Sequence, residues 1–203
     1  IIDPLNGWTG SLTGNQGKSP VLSGDGFGGG SLAFSVDEWL ASDAKGADMG
    51  VGGSNARTVC FWMFVPNGQQ SESGMYGYGT ASCTDGRNNM WALRSFWGGS
   101  NYTRFRSQHW CWDPEVQVAE GVMNRWSHVF HTYTGTNVQV HVDNVQRHDW
   151  TRTEISTGEQ HGVRIGRFSD GTEQRRTFKG KISDFRIYDQ ALSSGDRAII
   201  YNN

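Results

Sequence analysis

The feature that most constrains this chain is a series of short apolar segments, each ended by a turn signal. The strongest runs from Arg57 to Val65, has apolar residues on both of its faces, and stops at Pro66-Asn67-Gly68. Valines 138, 140 and 142 alternate with polar residues, which is the pattern of a half-buried strand. With 28 Gly and 9 Trp in 203 residues, the composition favours short strands and tight turns over long helices. The sequence therefore predicts an all-β chain.

About ten such segments follow one another with no linker between them, which predicts one antiparallel β-sandwich (jelly roll) of two sheets over residues 1–203. Besides the strand at Arg57–Val65, we predict strands at Ser31–Phe34, Gly74–Ala81, Asn89–Trp97, Tyr102–Trp112, Trp126–Thr134, Asn137–Arg147, Gly162–Phe168 and Phe178–Tyr188. Only the tail, Ser193 to Tyr201, has a helical pattern, with Ser193 or Ser194 as its cap.

Charge and hydropathy exclude two classes of partner. The formal net charge of −2 and the pI of about 6.3 argue against nucleic-acid binding, which requires a basic surface. No apolar run approaches the roughly 20 residues that cross a bilayer, so we expect no membrane insertion.

The three cysteines lie in two kinds of surroundings. Cys60 lies inside the predicted strand Arg57–Val65 and is expected to be a small buried hydrophobic residue. Cys83 and Cys111 lie in polar, Gly-rich segments, and we predict that they form a disulfide, which implies an oxidising compartment. That bond would close a loop of about 28 residues and add about 3 kcal/mol to the free energy of unfolding. The cysteines show no CxxC spacing, so no zinc site is expected.

Three segments point to a family: Thr58-Val59-Cys60-Phe61-Trp62-Met63-Phe64-Val65-Pro66, then Asn124 to Asn144 with its Trp126 and His128, then Val163-Arg164-Ile165-Gly166 and Phe178 to Ser193. In order and spacing the chain resembles the laminin-G-like, concanavalin A-like lectin/glucanase superfamily. The resemblance implies two antiparallel sheets, a glycan-binding or adhesion role, and a structural calcium ion, for which Asp25 and Asp184 are the candidate ligands. Asp143-Asn144 replaces an Asp-Gly turn, and Asn accepts the positive φ that such a turn needs.

Most residues of these matching segments are expected to pack in the interior. The set comprises Phe61, Trp62, Trp126, Phe178, Ile182 and Ile187. We expect His128 to be a buried histidine with its hydrogen bonds satisfied.

A candidate binding face emerges from the alternation in the segment from 102 to 112. Phe105, Ser107, His109 and Cys111 share one face, and the other carries Tyr102, Arg104, Arg106, Gln108, Trp110 and Trp112. If the strand at 89–97 is the neighbour, Arg94 joins the second face. Trp rings stack on the apolar face of a pyranose and Arg and Gln donate to hydroxyls or carboxylates, so the set suits a glycan. Three arginines with no carboxylate on their strand favour an anionic glycan; an ordinary solvated face is the alternative.

We therefore expect a non-catalytic carbohydrate-binding module of a secreted or cell-surface multidomain protein. A protein-binding adhesion or spacer domain is the alternative from another class. A polysaccharide lyase is the second, with Tyr102 or His109 as the base beside Arg104, Arg106 and Gln108. The paired acidic residues that glucanases of this superfamily carry on one strand are missing from the sequence.

Overall fold

The chain folds into short strands over most of its described length. The computed structural model describes residues 2–3, 8–9, 13–14, 20–67, 73–82, 89–95, 104–109, 113–117, 121–168 and 177–203. In chain order, the elements are β1 (Ile2–Asp3), β2 (Trp8–Thr9), β3 (Thr13–Gly14), β4 (Val21–Ser23), the 3-10 turn η1 (Phe27–Gly29), β5 (Ser31–Phe34), β6 (Leu40–Ala41), β7 (Arg57–Phe64), β8 (Gly74–Gly79), β9 (Met90–Ser95), β10 (Arg104–Gln108), β11 (Glu115–Gln117), β12 (Trp126–Tyr133), β13 (Asn137–Val142), β14 (Val145–Thr151), β15 (His161–Ile165), β16 (Gly180–Tyr188) and α1 (Ser194–Asn202).

Two antiparallel sheets contain nearly all of these strands. The front sheet has the order β11-β10-β9-β8-β15-β6-β3, and the back sheet has the order β14-β13-β12-β7-β16-β5-β4. Strands β1 and β2 pair with each other alone. The predicted all-β sandwich of two antiparallel sheets is confirmed.

Most predicted strands agree with the structure to within a few residues, but one does not, and several short strands were not predicted. The segment predicted as one strand from Asn137 to Arg147 turns back at Asp143 and Asn144, with φ of 52° and 58°, and forms the β13–β14 hairpin. Both angles match the type I′ turn that the Asp-Asn pair was expected to allow. Strand β11, three residues long and beside β10, was not predicted.

Strand β7, which corresponds to the predicted strand Arg57–Val65, is buried on both sides as its sequence indicates. Val59, Phe61 and Met63 face the front sheet and are fully buried. On the other face, Cys60 packs with Leu192 and the partly buried side chains of α1. Phe27 of η1 stacks on Trp62, with ring centroids 3.5 Å apart. Full burial of one large apolar side chain stabilises the fold by about 1.5–3 kcal/mol, so β7 contributes from both faces.

The other residues expected in the interior fall into two groups. Phe178 and Ile182 are buried, whereas Trp126 and Ile187 are only partly buried. His128 is fully buried and packs against Trp62 and Phe130. Neither of its ring nitrogens has a hydrogen-bond partner among the described residues, so the expectation of satisfied hydrogen bonds was wrong. The rings nearest to it are those of Trp62, Phe130 and Tyr201.

Helix α1 begins where the sequence predicts. The Ser193 side chain accepts a hydrogen bond from the Asp196 backbone N–H, and the Asp196 carboxylate accepts one from the Ser193 N–H. This reciprocal pair is a capping box, which satisfies two backbone donors at the start of the helix. Of the two candidate caps, the structure therefore selects Ser193.

A chain of hydrogen bonds crosses the interior between the two sheets. The Tyr76 hydroxyl lies 2.5 Å from His131 Nδ1, and the Ser107 hydroxyl lies 2.6 Å from His131 Nε2 and 2.7 Å from His109 Nε2. His109 Nδ1 lies 3.2 Å from the Met90 carbonyl oxygen, to which it must donate. With both histidines neutral, the protons can be assigned in one consistent direction, from Tyr76 through His131 and Ser107 to His109.

Burial holds the two histidines of this chain in their neutral form. Desolvation lowers the pKa of His109 to about 3, and desolvation together with the neighbouring His109 places the pKa of His131 well below its usual value. A second proton on either ring would also add a donor for which the assigned hydrogen-bond chain has no acceptor.

We expect the free energy of unfolding to fall as the pH is lowered from 7 to 5. The pKa values of both histidines are depressed in the folded state, so below pH ~6.5 the unfolded chain binds more protons than the folded chain. For each of the two buried histidines, the free energy of unfolding is expected to fall by about 2 kcal/mol between pH 7 and pH 5. Urea unfolding at a series of pH values measures the slope.

The variant His131→Gln should show a shallower slope than the wild type, whatever its stability at pH 7. His161→Gln removes a partly exposed ring at the start of β15, outside this hydrogen-bond chain, and is the control for the loss of one histidine. A slope unchanged by His131→Gln would contradict this assignment.

Candidate functional site

The outward face of the front sheet gathers the basic residues that the sequence singles out. In the register of β9, β10 and β11, Arg94 pairs with Arg106, and Arg106 pairs with Glu115. Phe105 and Ser107 point inward and are fully buried. Because side chains alternate along a strand, Arg104, Arg106 and Gln108 point outward, and Arg94 joins them from β9. The four residues share one face, as the alternation predicts.

Around Arg94, the residues of this face are linked to each other by a series of hydrogen bonds. Arg94 Nε donates to Gln108 Oε1 at 2.6 Å, and Gln108 Nε2 donates to Asp113 Oδ2 at 2.5 Å. The second oxygen of Asp113 accepts the backbone N–H of His109 at 2.8 Å. Arg94 is only 6% exposed and Gln108 only 5%. These two residues therefore lie on the outward side of the sheet but are buried there, so they do not form an ordinary solvated face.

Phe168 explains part of this burial. The Arg94 guanidinium lies 5.3 Å from the centroid of the Phe168 ring, which packs with Met90 and Ala92 of β9 and is 1% exposed. The Phe168 backbone passes so close to β8 that a Cβ at Gly77 would collide with its carbonyl. Glycine in β8 thus lets the segment after β15 lie on the sheet and hold Arg94 from one side.

The outer end of the face is open and carries a carboxylate between two arginines. Arg106 Nη2 lies 3.3 Å from Glu115 Oε1, and Arg104 Nη1 lies 3.9 Å from Glu115 Oε2. The exposed fractions of the side chains are 41% for Arg104, 21% for Arg106 and 35% for Glu115. We call these three residues the Arg–Glu cluster. It places charged donors and acceptors side by side where a ligand can reach them.

Two acidic residues of this face, Asp113 and Glu115, were not anticipated from the sequence. Both follow the predicted strand, and the short alternation Glu115-Val116-Gln117, in which only Val116 is buried, was the available signal. The remaining predicted ligand-binding residues, Tyr102, Trp110 and Trp112, lie outside the described residues, as do Cys83 and Cys111 of the predicted disulfide. Of the three cysteines, Cys60 is described, and it is buried and unbridged.

His109 is one of the two residues that the lyase alternative proposes as a base. It is fully buried between the sheets, bound to Ser107 and to the Met90 carbonyl, and it does not share the face of Arg104 and Arg106. A base must come within hydrogen-bond reach of its substrate, so His109 does not fit that role. The other proposed base, Tyr102, lies outside the described residues.

The two candidate calcium ligands each bind a basic side chain. Asp25 accepts hydrogen bonds from Lys181 and from the Ser23 hydroxyl, and the Lys181 contact lowers the pKa of its carboxyl group. Asp184 has a φ of 49° at an irregularity of β16, and its Oδ1 accepts a hydrogen bond from Arg186 Nε at 2.7 Å. Among the described residues, no three His, Cys, Asp or Glu side chains cluster as metal ligands. The structural calcium that the resemblance implies at these two aspartates stays a prediction.

Comparison with known families decides what kind of domain this is. A laminin G model, described as the concanavalin A-like lectin/glucanases superfamily, matches residues 41–196, which is more than half of the chain. The chain belongs to this superfamily. The resemblance drawn from the β7 and β16 segments is confirmed. A search of curated protein sequences found no significant match.

Solved structures of this superfamily fold resemble the chain at low sequence identity. Domain 4 of AbnA, a GH43 extracellular arabinanase from Geobacillus stearothermophilus solved in complex with arabinotriose, has a TM-score of 0.68 at 19% identity, over 95% of this chain and 87% of that one. The receptor binding domain of botulinum neurotoxin mosaic serotype C/D has a TM-score of 0.65 at 11% identity, over 97% of this chain and 47% of that one. A heptameric SAP-like pentraxin from Limulus polyphemus has a TM-score of 0.52 at 15% identity, over 70% and 68%. At these identities the likeness shows the fold.

The helix found among the described residues, α1, does not have the length and apolar character that crossing a membrane requires.

We expect Asp25→Asn to lower the melting temperature by a small amount in chelator, where only the ion pair is lost, and by a larger amount in calcium, where a ligand of the predicted site is lost as well. The substitution removes the ion pair with Lys181, an interaction that does not depend on a metal. Thermal unfolding of wild type, Asp25→Asn and Asp184→Asn in both buffers measures the shift. A calcium-induced rise in the melting temperature that either variant abolishes makes that aspartate a calcium ligand, and a wild type whose melting temperature calcium does not raise contradicts the predicted site.

Proposed function

We propose that this superfamily member is a carbohydrate-binding module and that it binds its glycan at the Arg–Glu cluster and the adjoining outward face of the front sheet. The observation that carries the proposal is the exposed carboxylate of Glu115 in contact with Arg106, and more distantly with Arg104. The arabinotriose complex of domain 4 of AbnA supports it, because that domain has the same fold and was solved with a sugar.

The chemistry of the cluster suits sugar hydroxyls. A hydroxyl group both donates and accepts, so neighbouring hydroxyls of one ring can donate to a carboxylate and accept from a guanidinium. Hydrogen bonds to charged groups contribute about 1.5–3 kcal/mol, roughly twice the neutral value. The three side chains stand on paired strands and already contact each other, so little conformational freedom remains to be lost on binding.

The aromatic part of the site rests on the sequence. Trp110 and Trp112 follow Gln108 and have the same parity along the chain as Arg104 and Arg106, so we propose them as stacking surfaces for a sugar ring. We retain both as proposed ligand contacts. Together with the polar cluster, they would supply the apolar platform and the oriented hydrogen bonds that sugar sites combine.

We further propose that the module binds without catalysis and belongs to a secreted or cell-surface protein. Domain 4 of AbnA is part of an extracellular arabinanase, which supports both statements by analogy. Within the described face, His109 faces the interior and Arg104, Arg106 and Glu115 are engaged with each other.

A protein-binding role is the second candidate. The exposed apolar side chains of Val21, Leu22 and Phe27, with exposed fractions of 67%, 82% and 39%, favour it. Val21 and Leu22 are consecutive residues of β4, so their side chains leave opposite faces of the strand and do not form one flat patch. The polar cluster on the front sheet therefore has the stronger case.

We expect Arg106→Gln to weaken glycan binding by about tenfold or more, because it removes a charged donor next to Glu115. The measurement is a glycan array at fixed salt spanning neutral, uronic and sulfated polysaccharides, followed by calorimetry on the strongest hit. Alanine at Trp110 or at Trp112 should have at least as large an effect, since aromatic residues commonly dominate such sites.

Arg152→Gln is the matched control, because Arg152 also contacts a glutamate, Glu154, at 3.3 Å but follows β14 of the back sheet. It should leave affinity unchanged. Binding retained by Arg106→Gln and by both Trp variants would place the site elsewhere, and silence across the array with an intact fold would favour the protein-binding role.

A further inference from the structure

We infer that Glu115 makes this site selective for neutral glycans over anionic ones. The inference rests on the proposed function and deepens it by naming the ligand class. It also replaces the expectation of an anionic ligand, which depended on the absence of a carboxylate from the strand that carries Arg104 and Arg106. The carboxylate comes from β11, the next strand of the sheet.

The register of β10 and β11 puts Glu115 where an anionic ligand would have to bind. Glu115 is the direct cross-strand partner of Arg106, and its two carboxylate oxygens contact Arg106 and Arg104 separately. A sulfate or uronate approaching either guanidinium from solvent meets this carboxylate within a few ångströms. It must displace Glu115 or accept a like charge beside it, and like charges across an interface suppress binding.

A neutral sugar meets no such conflict. One hydroxyl can donate to a Glu115 oxygen while its neighbour accepts from Arg104 or Arg106, and the ion pair itself stays intact. The partial exposure of the three side chains leaves these atoms within reach of a ligand. The cluster then acts as a combined donor and acceptor surface instead of an anion trap.

Arg94, the buried arginine of this face, does not provide a separate binding site for an anion. Arg94 is 6% exposed, its Nε is engaged by Gln108, and its guanidinium lies over the Phe168 ring. Gln108 in turn donates to the carboxylate of Asp113. An anionic polysaccharide that reaches the surface therefore encounters the charge arrangement that Glu115 sets.

The test compares wild type with Glu115→Gln on two sets of purified polysaccharides at fixed pH and salt. The neutral set is arabinan, galactan, mannan and xylan, and the anionic set is polygalacturonate, alginate and heparin. We expect wild type to bind its best neutral polysaccharide at least about tenfold more tightly than any anionic one. We expect Glu115→Gln to lose about tenfold on the neutral ligand and to gain about tenfold on an anionic one. The gain should shrink as salt is raised, because it is electrostatic.

Two further variants make the result specific to Glu115. Glu154→Gln removes the same charge from a glutamate that contacts an arginine at the same 3.3 Å distance, in the segment that follows β14, and it should leave both affinities unchanged. Glu115→Asp keeps the charge and should keep the preference for neutral ligands, so it tests the inference even if Glu115→Gln folds poorly. Circular dichroism and the melting temperature establish that each variant is folded.

The failure of the inference and the failure of the proposed function give different results. Wild type that binds glycans but prefers the anionic set overturns the inference alone, as does Glu115→Gln with an unchanged ratio of neutral to anionic affinity. Wild type that binds no polysaccharide of either set overturns the proposed function, and the inference falls with it.

Discussion

The buried hydrogen-bond chain from Tyr76 through His131 and Ser107 to His109 determines how the two sheets fit together. It joins β8 and β10 of the front sheet to β12 of the back sheet, and every member is fully excluded from solvent or nearly so. In a medium of low dielectric constant, an unsatisfied polar group costs more than it would in water. A shift of β10 by one residue would therefore break the chain and turn its apolar side chains outward at the same time.

The orientation of the candidate binding face follows from this interior constraint. Because Ser107 must meet His131 inside, Arg106 and Gln108 on either side of it must point out. Strand β11 then adds Glu115 opposite Arg106 by ordinary antiparallel pairing. The surface chemistry of the front sheet is thus fixed by groups that no ligand contacts.

The sequence predicted what depends on alternation along a strand and missed what depends on pairing between strands. The outward position of Arg104 and Arg106 follows from period-two alternation alone, and the fold class follows from the β7 pattern and the turn residues. Glu115 lies on a three-residue strand that has too few positions to show a period, so its contact with Arg106 became visible only in the sheet. The ion pairs of Asp25 with Lys181 and of Asp184 with Arg186 were likewise not visible in the local sequence, because Asp25 follows β4 whereas Lys181 lies on β16, and Asp184 adopts a positive φ.

The position of Glu115 at the margin of the front sheet separates stability from ligand choice. It belongs to the outermost strand and is partly exposed, so a substitution there alters neither the packed interior nor the hydrogen-bond chain beneath β10. Substitutions at such positions are usually worth less than about 0.5 kcal/mol in folding. Under the proposed function, a single substitution at this position can therefore change which ligand the face accepts while the scaffold beneath it keeps its stability.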